Sequence, residues 1–468
     1  MLSSGKLGFW GLTALVFGLV VGVGIFNLPQ NMAASAGPLG VMWGWIITGA
    51  GILPLVMAFK WLSTHYPRYN AGLYQYALAG FGKYAGFNIA WGYWLCTAFS
   101  NVAYAVMLND AVGALFPVFL RHGWPTVVFG SAFIWIMYFI VSCGIRTAKF
   151  INNLLAAIKV TMVVMVVVVF GICFKAGIFT SSLWSEISTS GGLWAQIKST
   201  MMVTLFCFFG VEGAVMMSAR AKNSSDVGKA GIAGFLISLV LYLCVALLCF
   251  GLMSRVRLAG MPNPSIAYIL RDICGPWAYW TVIAAIVISL GGGWVSWTLV
   301  VAQVPYEAAV VKIFPPMFTR LNRHGMPTFG LAASSVVMML FLLLVVMADD
   351  VYLAALHITG LMIIPCYLFT GMFLYKVATD FRTRLLAVVT IGFCLWMAYA
   401  GGLLLMLMTS LFYLLGTGFY IRSRRDNYPS DKRLFTTPEL CFFIFLCLAT
   451  IVTIILLFRH GANPEFFS

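Results

Sequence analysis

Apolar stretches long enough to cross a lipid bilayer recur along the whole chain. A helix needs roughly 20 predominantly apolar residues to cross the ~30 Å hydrocarbon core of a bilayer. Lipid offers no partners for backbone amides, so each stretch must satisfy its own hydrogen bonds as a helix. We therefore predict an all-α polytopic membrane protein. The predicted spans lie near residues 8–31, 38–59, 85–117, 125–143, 151–174, 197–219, 230–252, 276–304, 327–347, 351–376, 385–400, 403–421 and 438–458.

The run at residues 385–421 decides whether there are twelve spans or thirteen. It is either one long helix or two helices joined at Gly401-Gly402. With the N-terminus inside, two helices place most lysine and arginine residues on the cytoplasmic side, whereas one helix would move the basic residues of 422–433 outside. The positive-inside rule therefore favours two helices and a cytoplasmic N-terminus.

Composition excludes several classes of protein. Hydrophobic residues make up 62% of the chain and charged residues only 9%, which is far from the composition of a soluble domain. The net charge of +15 is explained by the cytoplasmic loops, so no nucleic-acid partner is expected. No Ser/His/Asp, metal-ligand or phosphate-loop constellation is evident. We expect neither an enzyme nor a cofactor or metal site.

Two apolar segments at matching places are interrupted by glycine. The first span contains Gly22-Val23-Gly24, and the sixth contains Gly210-Val211-Glu212-Gly213. Paired interruptions of this kind are typical of secondary transporters built from inverted repeats. Five spans per repeat is an odd number, so the two halves would be inverted. The predicted units are residues 1–174 (first repeat), 175–196 (external linker), 197–376 (second repeat) and 377–468 (spans 11 to 13).

An interruption of this kind supplies binding groups. An unwound turn exposes N–H groups at the start of one half-helix and carbonyls at the end of the other. The carboxylate of an amino acid would bind the N–H groups, where the helix dipole is positive, and its ammonium would bind the carbonyls. The alternative is a close helix contact, because Gly18 and Gly22 form a G-x-x-x-G motif. The matching break in span 6 favours the binding interpretation.

Two stretches carry a resemblance to a known family. They are "LTALVFGLVVGVGIFNLPQNMAASAGPLG" (12–40) and "AGLYQYALAGFGKYAGFNIAWGYWL" (71–95). The chain resembles the amino acid-polyamine-organocation superfamily, and within it the basic amino acid/polyamine antiporters, which include arginine/ornithine and arginine/agmatine exchangers. The resemblance implies the five-plus-five inverted-repeat fold with discontinuous helices 1 and 6.

The resemblance also implies a function. We expect a secondary antiporter of the bacterial inner membrane that exchanges external L-arginine for an arginine-derived product, ornithine or agmatine, by alternating access. The partners would be these small molecules and the lipid bilayer, with a homodimer as one assembly. The alternative is a proton-coupled uptake permease for cationic or neutral amino acids.

Two ionisable residues lie within predicted spans, where charge is costly. The resemblance assigns Glu212, in the span 6 break, to coupling and pH response; its alternative role is to cap the unwound backbone. Lys159 in span 5 matches a lysine that replaces the sodium ion of sodium-coupled relatives, so sodium coupling is not expected. Its alternative is an interfacial position with the ammonium reaching the headgroups.

The resemblance assigns further residues to the substrate site. Trp297 would stack on the substrate, since an indole face attracts a guanidinium group, and Trp294 is its rival one turn away. Phe206 would be a gating aromatic with a weaker π face than tryptophan. Val23 replaces a serine, which leaves the carboxylate to backbone amides. The complete predicted site comprises Gly22, Val23, Gly24, Ile25, Tyr93, Asn101, Phe206, Phe209 and Trp297, with Glu212, Lys159 and Phe206 in coupling and gating.

Overall fold

The computed structural model describes residues 8–69, 72–113, 116, 118, 123–189, 192–216, 222–347, 351–430 and 433–460. Throughout these residues the regular structure is helical, which confirms the predicted all-α class. The helices are α1 Phe9–Val20, α2 Leu28–Ser35, α3 Pro38–His65, α4 Leu73–Phe81, α5 Lys83–Gly113, α6 Trp124–Ser142, α7 Ile145–Ile172, α8 Ala176–Thr189, α9 Gly192–Cys207, α10 Gly213–Met216, α11 Ser224–Leu248, α12 Arg255–Ala259, α13 Ser265–Cys274, α14 Pro276–Val310, α15 Thr328–Val345, α16 Val351–Val377, α17 Phe381–Ala400, α18 Leu403–Leu415, α19 Thr417–Asn427 and α20 Thr437–His460.

Within the described ranges, nine helices are long and apolar enough to cross a membrane, and a tenth arises if the bent pair α7 and α8 counts as one span. The remaining predicted spans are the two interrupted ones and span 3. Span 3 is the 31-residue helix α5, which is buried along almost its whole length. Because α5 faces protein rather than lipid, it can carry polar residues that lower its hydropathy.

Both predicted interruptions are present. The first span consists of α1, a 3₁₀ turn at Val23–Phe26, and α2. In the sixth span α9 ends at Cys207 and α10 begins at Gly213, with turns between them. Helices 1 and 6 are therefore discontinuous, as the glycine pattern predicts.

The late apolar run also divides as predicted. α17 ends at Ala400 and α18 begins at Leu403, and Gly402 between them has φ +94°. That backbone conformation favours glycine because it lacks a Cβ atom. Two helices, not one, occupy this run.

The predicted linker at residues 175–196 is more regular than its serine and glycine content indicates. Most of it forms α8, which lies at 87° to α7. The serine hydroxyls of Ser181 and Ser182 donate to carbonyls of the preceding turn, so their polar groups are satisfied within the helix.

The packing of spans follows a symmetric pattern. Span 3 (α5) packs on span 10 (α16), and span 8 (α14) packs on span 5 (α7). Span 1 (α1) packs on span 7 (α11), and span 6 (α9) packs on span 2 (α3). These contacts interchange when one half is exchanged for the other. The inverted repeat and its boundaries remain predictions, which this pairing supports.

Candidate functional site

The two helix breaks touch each other. Gly210, in the span 6 break, has φ +105°, and a Cβ atom placed there would lie 3.1 Å from the backbone carbon and oxygen of Leu19. The same atom would lie 3.1 Å from the Trp297 ring. Only glycine fits both the conformation and the space. The breaks and α14 therefore meet at one point inside the protein.

The first break presents backbone donors. Gly22 begins the 3₁₀ turn, and no side chain caps that start. The N–H group of Gly22 donates to the Val20 carbonyl at 2.7 Å. In a 3₁₀ turn each N–H donates to the carbonyl three residues earlier, so the N–H groups at this break that have no acceptor within the turn belong to Val23 and Gly24. They form a site for an anion.

Two carbonyls at the end of α1 already accept hydrogen bonds from side chains. The Lys159 ammonium donates to the Gly18 carbonyl at 3.1 Å, and the Tyr242 hydroxyl donates to the Val20 carbonyl at 2.8 Å. Lys159 is buried and its ammonium bonds to the protein, which supports a paired ammonium over one that reaches the headgroups. Lys159 and Tyr242 thus occupy two of the acceptors beside the first break.

The second break has the opposite character. The N–H groups of residues 208, 209 and 211 donate to nearby carbonyls, and that of Gly210 donates to Glu212 Oε2 at 3.2 Å. Among the described residues, no hydrogen bond to the Cys207 carbonyl is present. Cys207 lines the same cavity as Gly22 and Gly24, so this carbonyl is a candidate acceptor near the donors of the first break.

A small cavity lies between the breaks. Its volume is about 20 Å³, which accommodates about one water molecule. It is lined by Leu19, Val20, Gly22, Gly24, Ser100, Tyr104, Phe206, Cys207, Phe209, Tyr242 and Trp297. An amino acid does not fit this volume, so binding requires the side chains that line the cavity to move.

Aromatic rings close the cavity. Trp297 stacks on Phe209, with ring centroids 4.7 Å apart and planes 13° apart. Phe206 meets Tyr352 edge to face at 6.5 Å. A Cβ atom on Gly24 would lie 3.3 Å from the Tyr352 hydroxyl and 3.7 Å from Phe206. The first break is therefore covered by this second aromatic pair.

A buried carboxylate lies beyond Trp297. Glu212 Oε1 accepts a hydrogen bond from Tyr93 at 2.9 Å, and Oε2 accepts one from Tyr367 at 2.9 Å. Tyr93, Glu212 and Trp297 line a second cavity of about 20 Å³. Glu212 caps Gly210 and also binds two other spans. The capping and coupling interpretations are thus compatible, because the carboxylate ties the break to α5 and α16.

The family model described as amino acid permease matches residues 7–413. The chain belongs to the amino acid permease family. This places the interrupted helices and the cavity between them in a protein that carries amino acids across a membrane.

Relatives extend over almost the whole permease. The arginine/agmatine antiporter of Chlamydia caviae is 37% identical over 97% of this chain and 97% of its own length. That of Chlamydia abortus is 38% identical over the same shares. A putative amino-acid transporter of Clostridium perfringens is 35% identical over 97% of this chain and 98% of its own.

Most of the predicted site residues meet at the two cavities of the permease. Gly22, Gly24, Phe206, Phe209 and Trp297 line the first. Tyr93 and Glu212 line the second with Trp297. Lys159 reaches the end of α1 on the other side of the break.

The other predicted residues lie elsewhere. The Asn101 amide donates to the Thr97 carbonyl at 2.7 Å, and its oxygen accepts from Thr298 at 3.4 Å, so it links α5 to α14 rather than lining the cavity. Ile25 is buried but does not line it either. The side chain of Val23 falls outside the described part of the chain.

The structure distinguishes the two tryptophans. Trp294 stacks with Tyr104 at 6.4 Å and with Phe133 at 6.3 Å, and it is fully buried. Trp297 lines both cavities, whereas Trp294 lines neither. The packing alternative for the first break is also weakened, because a Cβ atom on Gly18 would meet nothing within 4 Å.

Sequence reasoning missed four tyrosines: Tyr104, Tyr242, Tyr352 and Tyr367. In an apolar helix a tyrosine is usually a core residue with one polar tip. One signal was present for Tyr104, because Ser100 lies four residues earlier and therefore on the same face of α5. Tyr242 lies on α11, and Tyr352 and Tyr367 lie about four turns apart on α16, so only the fold brings them to the breaks.

Proposed function

We propose that this permease exchanges external L-arginine for intracellular agmatine by alternating access. The observation that carries the proposal is the near-complete match to relatives that are named arginine/agmatine antiporters. The paired breaks around a small cavity support the same mechanism.

The hydrogen-bonding pattern supports one orientation of arginine. Its carboxylate would bind the N–H groups of the first break, at Val23 and Gly24. Its α-ammonium would bind the Cys207 carbonyl, because the Gly18 and Val20 carbonyls already accept bonds from the protein. The guanidinium would then extend toward the aromatic rings, where Trp297 offers an indole face.

The aromatic pairs supply the gates. In this mechanism the Phe206–Tyr352 pair and the Trp297–Phe209 pair close opposite sides of the substrate, and one pair opens at a time. Glu212 would couple the second gate to α5 and α16 through Tyr93 and Tyr367. Obligate exchange requires that bound substrate lowers the barrier for crossing, through contacts that strengthen in the occluded state.

Fixed charge supports independence from sodium. The Lys159 ammonium donates to the Gly18 carbonyl at the end of α1, in the place where the resemblance puts the ion of sodium-coupled relatives. The distribution of basic residues supports an inner-membrane protein with its N-terminus in the cytoplasm.

Counterflow tests the exchange. Purified protein is reconstituted into liposomes loaded with agmatine, ornithine, unlabelled arginine, lysine or a neutral amino acid, and entry of labelled arginine is measured. We expect rapid entry with internal agmatine or arginine and very slow entry into empty liposomes. Fast entry without an internal substrate would contradict exchange, and a preference for ornithine over agmatine would reassign the counter-substrate.

The same liposomes test proton-coupled uptake. A pH gradient is imposed across liposomes that contain no substrate. Exchange predicts that the gradient does not produce sustained arginine accumulation. Accumulation that depends on the gradient alone would favour the uptake permease instead.

A further inference from the structure

The first break lacks a side-chain donor of its own. Its residues are Gly22, Val23 and Gly24, none of which carries a hydroxyl or amide side chain. A carboxylate has about four lone-pair sites, more than the few N–H groups at the start of a single turn can reach with good geometry. A neighbouring hydroxyl that points toward the break would complete the site.

Tyr104 places its hydroxyl at this position. The hydroxyl lies 3.5 Å from where a Cβ atom on Gly22 would stand, and the residue lines the cavity. Tyr104 is 4% exposed. Between the described residues, no hydrogen bond that involves this hydroxyl is present. The residue is buried and lines the cavity without a described acceptor for its proton, so this donor beside the first break indicates that a ligand completes it.

The other hydroxyl groups that line the cavity already donate within the protein. Ser100 donates to the Thr97 carbonyl at 2.9 Å. Tyr242 donates to the Val20 carbonyl at 2.8 Å. Of the three hydroxyl groups on the lining residues, Tyr104 is the one whose proton is not used by a described protein acceptor.

The ring of Tyr104 is held in place by α14. A Cβ atom on Gly293 would lie 3.0 Å from its Cε1 atom and 3.2 Å from its hydroxyl oxygen. Trp294 packs against the ring at 6.4 Å. The glycine therefore provides the space that sets the position of the hydroxyl.

We propose that Tyr104 is a substrate-binding residue whose hydroxyl donates to the carboxylate of the bound amino acid. It thereby distinguishes arginine, which has a carboxylate, from agmatine, which has none. The assignment rests on the proposed function. It identifies a side chain that recognises the carboxylate in a break that contains no serine.

The test is Tyr104→Phe, which removes only the hydroxyl. Binding of arginine, L-argininamide and agmatine to purified protein is measured by calorimetry. A hydrogen bond to a charged group predicts that arginine binds roughly tenfold to a hundredfold more weakly. Agmatine and the amide, which carry no negative charge, should change by less than about threefold. Unchanged agmatine binding also shows that the variant is folded.

Tyr76→Phe is the matched control. Its hydroxyl is also buried and without a hydrogen-bond partner among the described residues, but it lies on α4 away from the cavity. We expect this variant to bind all three ligands as the wild type does. Gly293→Ala, which would displace the Tyr104 ring, should reproduce the selective loss of arginine binding.

Three results would overturn the assignment. Equal weakening of all three ligands in Tyr104→Phe would place the hydroxyl on the shared cationic part or give it a structural role. Unchanged arginine binding would remove it from the site. If the wild type binds neither arginine nor agmatine, the proposed function fails together with the assignment, and that result is distinct because it needs no variant.

Discussion

Gly210→Ala tests the contact between the two breaks. The residue has φ +105°, a region that L side chains rarely adopt, and its Cβ atom would lie 3.1 Å from the backbone of Leu19. Backbone strain of this kind costs about 1–3 kcal/mol. The Leu19 contact is to backbone atoms, so relief requires the two interrupted spans to move apart by a few tenths of an ångström.

The strain applies to the conformation in which the breaks touch. A penalty of about 1.4 kcal/mol on one conformation changes its population about tenfold. We therefore expect Gly210→Ala to lower the exchange rate at least tenfold, because the conformation in which the breaks touch is a necessary step of the cycle. The variant should also melt several degrees lower in detergent, since native stability is a small difference between large terms.

The measurement is arginine counterflow at matched protein density, together with thermal unfolding followed by size-exclusion chromatography. The control is Gly18→Ala, in the other interrupted span, where an added Cβ atom meets nothing within 4 Å. It should be as active as the wild type. An active and stable Gly210→Ala protein would refute the close contact, and an inactive Gly18→Ala protein would restore the helix-packing interpretation of the glycines.

Three further predictions concern individual contacts. Trp297→Leu removes the stack on Phe209, and such a pair contributes about 0.5–1.5 kcal/mol beyond buried area. Arginine exchange should therefore fall severalfold to tenfold in Trp297→Leu, whereas Trp297→Phe should retain most of it. Equal loss in both variants would contradict a role for the π face. Lys159→Met removes the donor to the Gly18 carbonyl and should abolish exchange, with partial recovery in Lys159→Gln. Replacement of sodium by choline should leave wild-type exchange unchanged. A sodium requirement would refute the fixed-charge interpretation. Glu439→Gln replaces a carboxylate that accepts hydrogen bonds from the N–H groups of Tyr84 and Thr436, both at 2.8 Å, and should lower the melting temperature. The control Asp272→Asn affects an exposed ion pair with Arg257 and should leave the melting temperature unchanged.

The architecture could be predicted because the bilayer imposes strong rules on sequence. Long apolar runs, paired glycine breaks and loop charge each follow from backbone hydrogen bonding or from membrane orientation. The division at Gly401-Gly402 was decided by loop charge alone, and the left-handed conformation of Gly402 now gives its local cause.

The site was less predictable, because its groups come from separate helices. Asn101 is polar and lies on a site-forming helix, yet it bonds to Thr97 and Thr298, whereas Ser100 and Tyr104 from the same helix line the cavity. Which face of α5 turns toward the breaks depends on packing against α14 and α16. A helix buried on all sides has little amphipathic pattern from which to read that rotation.

The two breaks divide the recognition of an amino acid between them. In the first, Lys159 and Tyr242 occupy carbonyls and leave N–H groups open. In the second, Glu212 and the local turns occupy N–H groups and leave the Cys207 carbonyl open. Lys159 thus occupies an acceptor at the first break that would otherwise bind the ammonium of the substrate. Glu212 occupies a donor at the second break that would otherwise bind the carboxylate. Under the proposed function, a ligand with an adjacent anion and cation would prefer one orientation, with its side chain toward Trp297. We therefore expect a double variant that exchanges the charges of Lys159 and Glu212 to be inactive in transport. The open donors and acceptors belong to the backbone, so they stay in place when the side chains are exchanged.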